Sequence, residues 1–238
     1  MTETAGQGGR RTRSLLRHAG DIAFDVPNAL RFRVQAVRMR AVPESFARGD
    51  RRPVVVLPGV YETWHYLRPV AEALNAAGHP VHVVSALGVN HRPIPDSAHR
   101  VWRLIRELDL AHVTIVAHSK GGLIGKYLLA HLDTEARIER IVAIATPFSG
   151  SRMAYYTLTP AVRAFRPDDP VITSLGAERQ VNSRITSIAP EWDPHIPESS
   201  WLEGARNVTL PVSGHFRILR DARLPGLVVR EVQREGEP

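Results

Sequence analysis

The sequence predicts an α/β fold in which a mostly parallel central sheet carries helices on both faces. Two observations carry that expectation. Short, uniformly apolar runs such as Pro53 to Leu57 (PVVVL) have the character of strands buried on both sides. Between these runs, apolar residues recur at helical spacing. Strand and helix alternating at this pitch imply right-handed βαβ units.

The elements follow in order. After Pro53–Leu57, the residues Leu67, Val70, Ala71, Leu74 and Ala77 define one helix face, which Gly78 and Pro80 terminate. Val81 to Val84 is a second strand. Asp96 or Ser97 is expected to cap a helix whose apolar face is Ala98, Val101, Trp102, Ile105 and Leu108. Val113 to Ala117 is a third strand, Gly121 to Leu132 a helix and Ile141 to Thr146 a fourth strand. The rhythm fails between Ser149 and Ser183, then resumes with strands near Arg184–Ile188 and Asn207–Val212. In such sheets ligands bind beyond the carboxyl ends of the strands.

A chain of 238 residues fits one domain with a sizeable core. Residues 53–238 form that domain, with 149–183 as an excursion that either caps an acyl pocket or packs on the core. Residues 1–52 are a basic extension. They hold eleven arginines against Glu3, Asp21, Asp25, Glu44 and Asp50, a net of +6, so the remaining 186 residues carry only +1 of the total +7. Charge confined to an arm argues against nucleic acid as the partner of the body, and leaves contact of the arm with an anionic surface as the alternative. Within the arm, residues 1–12 are expected to be disordered. The stretch from Leu30 to Met39 fits a strand or a helix, and a packed helix is favoured.

No apolar run approaches the length of a membrane span, and Ser14 to Asp25 is interrupted by Arg17, His18 and Asp21, so it offers no signal-peptide core. The expected location is the cytoplasm. The chain has no cysteine, which excludes disulfides, thiolate metal sites and a cysteine nucleophile.

The strand Val113–Ala117 runs straight into Ala117-His118-Ser119-Lys120-Gly121-Gly122 and then a helix. This is a G-x-S-x-G elbow with alanine at the first position. Such a turn lifts a serine hydroxyl clear of the sheet and needs small flanking residues, which makes Ser119 the candidate nucleophile. A tetrahedral oxyanion needs two aimed N–H donors. One comes with the elbow, the backbone N–H of Lys120. The other is expected from the loop Leu57-Pro58-Gly59-Val60-Tyr61-Glu62-Thr63-Trp64, with the N–H of Val60 as candidate.

With these residues in view, the stretch 53–150 resembles the front half of α/β-hydrolase fold lipases and esterases. The resemblance spans LPGVYETW, AHSKGG and Ile144-Ala145-Thr146-Pro147-Phe148-Ser149-Gly150-Ser151, which matches a TP-x-x-GS segment of many bacterial lipases. One departure is Pro58-Gly59 where the family usually has His-Gly, which removes an imidazole that often fixes this loop. The tail is also similar to small bacterial lipases, from Arg184-Ile185-Thr186-Ser187-Ile188 to Ser213-Gly214-His215. Matched position by position, the resemblance assigns the acid to Asp193 and the base to His215.

The residues themselves agree on the histidine. The base must sit on a loop beyond a strand end and follow the acid, which leaves His195 and His215. Of these, His215 follows a strand and a glycine. His118 lies inside the elbow, and its neighbour relation to Ser119 is expected to point it away. For the acid, Glu191, Asp168 and Asp169 stand as rivals. Tyr61, Trp64 and Phe148 are candidate pocket walls, with core packing as the other reading.

The histidines are scattered without the paired spacing of a metal site, and no cofactor is implied. Serine at the elbow argues against the dehalogenase and epoxide-hydrolase branches of the fold. The resemblance implies hydrolysis of small-molecule or lipid carboxylic esters through an acyl-enzyme. A thioesterase or acyltransferase would use the same machinery, and a non-catalytic binding member of the fold is the alternative outside enzymes.

Overall fold

The computed structural model describes residues 42–234; the Leu30–Met39 segment and most of the basic extension lie outside them. Six strands form one sheet: β1 (Val54–Leu57), β2 (Val81–Val83), β3 (Val113–His118), β4 (Ile138–Ile144), β5 (Ile185–Trp192) and β6 (Arg206–Ser213). Their order is β2-β1-β3-β4-β5-β6, and every neighbouring pair is parallel. The chain builds outward from β1 to β2, then crosses back to lay β3 on the other side of β1. The crevice at that reversal, beyond the ends of β1 and β3, is where such sheets bind ligands.

The inner strands β1 and β3 are buried along their whole length because both faces are covered. Val55, Leu57, Ile115, Ala117, Ile141 and Ala143 face one core, built with helices α2 (Ile94–Glu107) and α3 (Lys120–Tyr127). Val54, Val56, Val116, Val142 and Ile144 face the other, closed by α1 (Arg68–Ala76) and α6 (Leu224–Gln233). The alternation of neighbouring residues between two apolar layers is the period-2 geometry of a strand. Two short helices, α4 (Pro160–Arg163) and α5 (Pro170–Ala177), lie in the excursion between β4 and β5.

Several boundaries depart from the sequence expectation. Helix α2 begins at Ile94, with neither Asp96 nor Ser97 as its cap. Pro95 occupies the first turn, where its missing N–H would lack a helical partner anyway. Asp96 stands in that turn, and Ser97 is buried, donating its hydroxyl to Asn90 Oδ1 at 3.3 Å. Leu108 caps the other end of α2 and is 51% exposed, so it is not part of the apolar face. Strand β4 starts at Ile138 and stops before Ala145, whose φ of 47° turns the chain out of the sheet. Helix α3 ends at Tyr127 and continues as a wider π-turn over Leu128–Leu132. Strand β5 runs on to Trp192 through Pro190, which lies beyond the last residue paired with β4, where no ladder N–H is needed on that side.

No helix among the described residues is long and apolar enough to cross a membrane.

Candidate active site

Strand β3 delivers Ser119 in a strained backbone conformation, φ 51° and ψ −121°. A non-glycine residue in such a region costs on the order of 1–3 kcal/mol and persists only where its surroundings fix it. Here they do. The Ser119 N–H donates to the Ile144 carbonyl at 2.8 Å, and the Ser119 carbonyl accepts from the Gly122 N–H at 3.0 Å and from the Thr146 hydroxyl at 3.0 Å. The glycines after the serine allow the close approach: a Cβ on Gly121 would lie 2.3 Å from the Leu57 carbonyl oxygen.

The ends of β5 and β6 supply the other two groups. Trp192 pairs with Ser213, and the Gly214 N–H donates to the Trp192 carbonyl at 2.8 Å, so the next residues, Asp193 and His215, emerge side by side. Asp193 Oδ2 lies 2.7 Å from His215 Nδ1, and His215 Nε2 lies 3.0 Å from Ser119 Oγ. All three residues are buried. The other Asp193 oxygen accepts the N–H groups of His195 at 2.8 Å and Ile196 at 3.1 Å, an Asx turn that aims the carboxylate. Burial opposes ionisation of Asp193, but the adjacent His215, its hydrogen bond and the His195 contacts outweigh it and hold the carboxyl below its ordinary range. An ionised carboxylate only accepts, so Nδ1 of His215 carries the proton and Nε2 presents a lone pair to the serine hydroxyl.

The rival acids lie elsewhere. Asp169 caps α5, accepting the Val171 N–H at 2.9 Å; Asp168 is hydrogen-bonded to Tyr155; and Glu191 is exposed on β5.

The two expected oxyanion donors leave adjacent strand ends, because Leu57 is paired with Ala117. Among the described residues, neither the Val60 N–H nor the Lys120 N–H has an acceptor. The Lys120 side chain is buried and turned away, its amine donating to the Asn90 carbonyl at 2.7 Å and to the Arg92 carbonyl. Burial lowers this amine to about 8. Asn90 in turn donates its amide to the Pro58 carbonyl at 2.6 Å, so the residue after the serine is braced to the loop after β1.

Residues 52–200 match the family model of the α/β hydrolase fold. The chain belongs to the α/β-hydrolase fold family. The matched region takes in Ser119 and Asp193 and stops short of His215. Solved structures of similar fold include the propeptide form of a lipase, BlEst2, from Bacillus licheniformis (TM-score 0.65, 15% identity, 79% of this chain and 53% of that one). They also include a hydrolase from Oleispira antarctica (0.57, 15%, 81% and 97%) and a monoacylglycerol lipase from Paleococcus ferrophilus (0.53, 16%, 76% and 95%). The chain thus spans about half the length of the first of these. At these identities the likeness is one of fold. No curated protein matches the chain in sequence.

This α/β-hydrolase holds polar residues at its site that sequence reasoning passed over. His118 does not face the serine hydroxyl; its Nδ1 lies 2.9 Å from both oxygens of Glu62, and its Nε2 3.3 Å from the His215 carbonyl. Glu62 and His118 are both buried. Asn90 was missed as well, since its partners Pro58 and Lys120 are about thirty residues away in either direction. The one available signal was Glu62 itself, a carboxylate three residues beyond Gly59 in a loop otherwise read for its backbone.

The candidate pocket walls divide. Tyr61 and Trp64 line a cavity of about 720 Å³ with Pro58, Val83 and Val89, although Ser119, Asp193 and His215 are not among its lining residues. Trp64 also belongs to the core around Phe46, whose ring it meets edge-on at 5.7 Å. Phe148 is buried in the core that holds α2 and α3 and does not line this cavity. The excursion is split in the same way. Phe165, Ile172 and Leu175 are core, whereas Met153, Tyr155, Tyr156 and Leu158 are exposed. The Ser151 hydroxyl donates to the His195 carbonyl at 2.6 Å, which seats the start of the excursion on the acid loop.

Asp193, His195 and His215 have ligand atoms within 4.8 Å of one another. Two of the three are already hydrogen-bonded to each other, which leaves the group better suited to moving a proton than to holding an ion.

Proposed function

We propose that this protein is a serine hydrolase that cleaves carboxylic esters through an acyl-enzyme. The observation that carries the reading is the continuous hydrogen-bonded chain from Ser119 Oγ through His215 to Asp193, 3.0 and 2.7 Å in its two steps.

In this mechanism His215 Nε2 removes the proton from Ser119 as its oxygen attacks the ester carbonyl. Asp193 holds the tautomer and stabilises the imidazolium that forms. The tetrahedral oxyanion is received by the N–H groups of Val60 and Lys120. The second of these opens helix α3, whose N-terminal end favours developing negative charge. His215 then gives the proton to the departing alkoxide, the alcohol leaves, and the ester bond to Ser119 remains. Water, deprotonated by the same histidine, attacks that acyl-enzyme; the acid is released and Ser119 regains its proton.

The names of the similar structures, a lipase and a monoacylglycerol lipase among them, are in keeping with an ester substrate. The exposed Met153, Tyr155, Tyr156 and Leu158 give the excursion an apolar surface that suits a lipid acyl chain, and Ser151 seats the start of that excursion on the acid loop, in keeping with a cover over the site.

The test is turnover of p-nitrophenyl esters from acetate to palmitate, run beside acyl-CoA substrates. Ester turnover that is abolished in Ser119→Ala supports the proposal. Preferential turnover of acyl-CoA would move the assignment to a thioesterase or acyltransferase, and no turnover with any acyl donor would contradict it.

A further inference from the structure

The loop after β1 lacks the histidine that the family resemblance leads one to expect, and carries Pro58-Gly59 instead. We infer that Glu62 and His118 together fix the oxyanion loop and tie it to the backbone of His215. Both are positioning residues, and the inference rests on the acyl-transfer reading above.

Glu62 closes the turn that presents Val60. Its Oε2 accepts the Gly59 N–H at 2.8 Å, and its own N–H donates to the Gly59 carbonyl at 3.3 Å. The two residues between these anchors are Val60, the candidate donor, and Tyr61, which takes a φ of 58° to complete the turn. Gly59 is what admits the carboxylate: a Cβ there would lie 2.5 Å from Glu62 Oε1. The glycine of the Pro-Gly pair therefore makes room for a side chain, beyond permitting a bend.

His118 then joins this turn to the rest of the site. It is fully buried, with Nδ1 2.9 Å from both Glu62 oxygens and Nε2 3.3 Å from the His215 carbonyl. The two ring nitrogens thus face Glu62 on one side and the His215 carbonyl on the other. His118 is also the last residue of β3, immediately before Ser119, and its ring centroid lies 4.9 Å from that of His215. One side chain thus touches the oxyanion loop and the base while its backbone leads into the nucleophile. Its value here is geometric, since a donor misplaced by about 1 Å can cost roughly 10²-fold in rate.

The experiment compares the full-length protein with Glu62→Gln, His118→Gln and the double variant in p-nitrophenyl butyrate hydrolysis, with amide hydrogen exchange at Gly59 as a second readout. Glutamine keeps the size of Glu62 but supplies one acceptor oxygen where two are used. The expected result is a kcat lowered about 10²-fold, with KM within about threefold, in each single variant. The double variant should be no more than about threefold worse than the poorer single, because residues that act as a unit are not additive. Gly59 exchange should quicken at least about tenfold in Glu62→Gln, while the melting temperature falls by only a few degrees, roughly the cost of one unmet buried hydrogen bond. A kcat within threefold of wild type in Glu62→Gln, multiplying losses in the double variant, or a loss of melting temperature that tracks the loss of kcat would each overturn the inference. Wild-type protein inert to every ester would sink the parent reading and the catalytic role with it. The Gly59 exchange difference would still show, independently, whether Glu62 anchors the loop.

Discussion

The Thr146 hydroxyl donates to the Ser119 carbonyl at 3.0 Å, so the residue just past β4 holds the elbow in its strained conformation from outside the β3–α3 turn. The same hydroxyl leaves no space opposite, since a Cβ on Gly122 would lie 2.1 Å from Thr146 Oγ1. Gly122→Ala therefore forces a buried β-branched side chain and the elbow apart. It should lose about 2–3 kcal/mol of stability, the upper range for overpacking. Thr146→Val deletes one bond but leaves the Ser119 carbonyl its Gly122 N–H, and should lose about 1 kcal/mol. Urea denaturation of the two variants checks the order. A larger loss in Thr146→Val would show that the bond, not the close approach, dominates.

Much of the fold was legible because burial on both faces forces an apolar run with no polar residue to blur it, as in Val54 to Leu57. Legibility declined where that constraint relaxed. At the entry of β4, Glu139 and Arg140 are only half-buried, so the strand begins three residues before its apolar run announces it. The start of α2 was misplaced because a good capping side chain, Ser97, is engaged by Asn90 in the tertiary structure instead. At the site, the elbow motif pointed to Ser119 and the family resemblance to Asp193 and His215, and the structure brings the three side chains together. The contact between Glu62 and His118 could not be read in this way, because it joins the loop after β1 to the end of β3, 56 residues on, and follows from strand pairing, which no local pattern encodes.

Asp193 is the member of the chain with the most rivals in sequence, and it separates from them by substitution. An aspartate that fixes the histidine tautomer is worth on the order of 10⁴-fold in turnover when made an amide. Asp193→Asn should show a loss of that order with the fold retained. Asp169→Asn keeps a capping side chain on α5, and Glu191→Gln alters an exposed position, so each should stay within about tenfold of wild type. Steady-state kinetics of the three variants against one soluble ester decides between them.

His195 provides a pH-dependent readout of the same loop. Burial lowers its imidazole to about 4, with the neighbouring His215 and His118 adding to the effect and Asp193 opposing it. A histidine with a depressed folded-state value favours folding fully above its ordinary value of 6.5, and loses that contribution as pH falls towards about 4. The side chain is nevertheless solvent-exposed by surface area, so the linked change in stability is small and the titration midpoint is the quantity to measure. Proton NMR of the ring should place that midpoint well below 6.5, and Asp193→Asn should move it lower still, because Asp193 is the group that raises it. A midpoint at or above 6.5 would contradict this description of the acid loop.

Covalent labelling reads out whether Ser119 is a nucleophile activated by His215. The full chain is treated with a fluorophosphonate, and the adduct is located by mass spectrometry of the digested protein. One adduct per molecule is predicted, on the peptide bearing Ser119. It should be absent from Ser119→Ala and form far more slowly in His215→Ala, because a serine hydroxyl is a weak nucleophile without its base. No adduct on wild-type protein, or an adduct on another serine that survives in Ser119→Ala, would contradict the account.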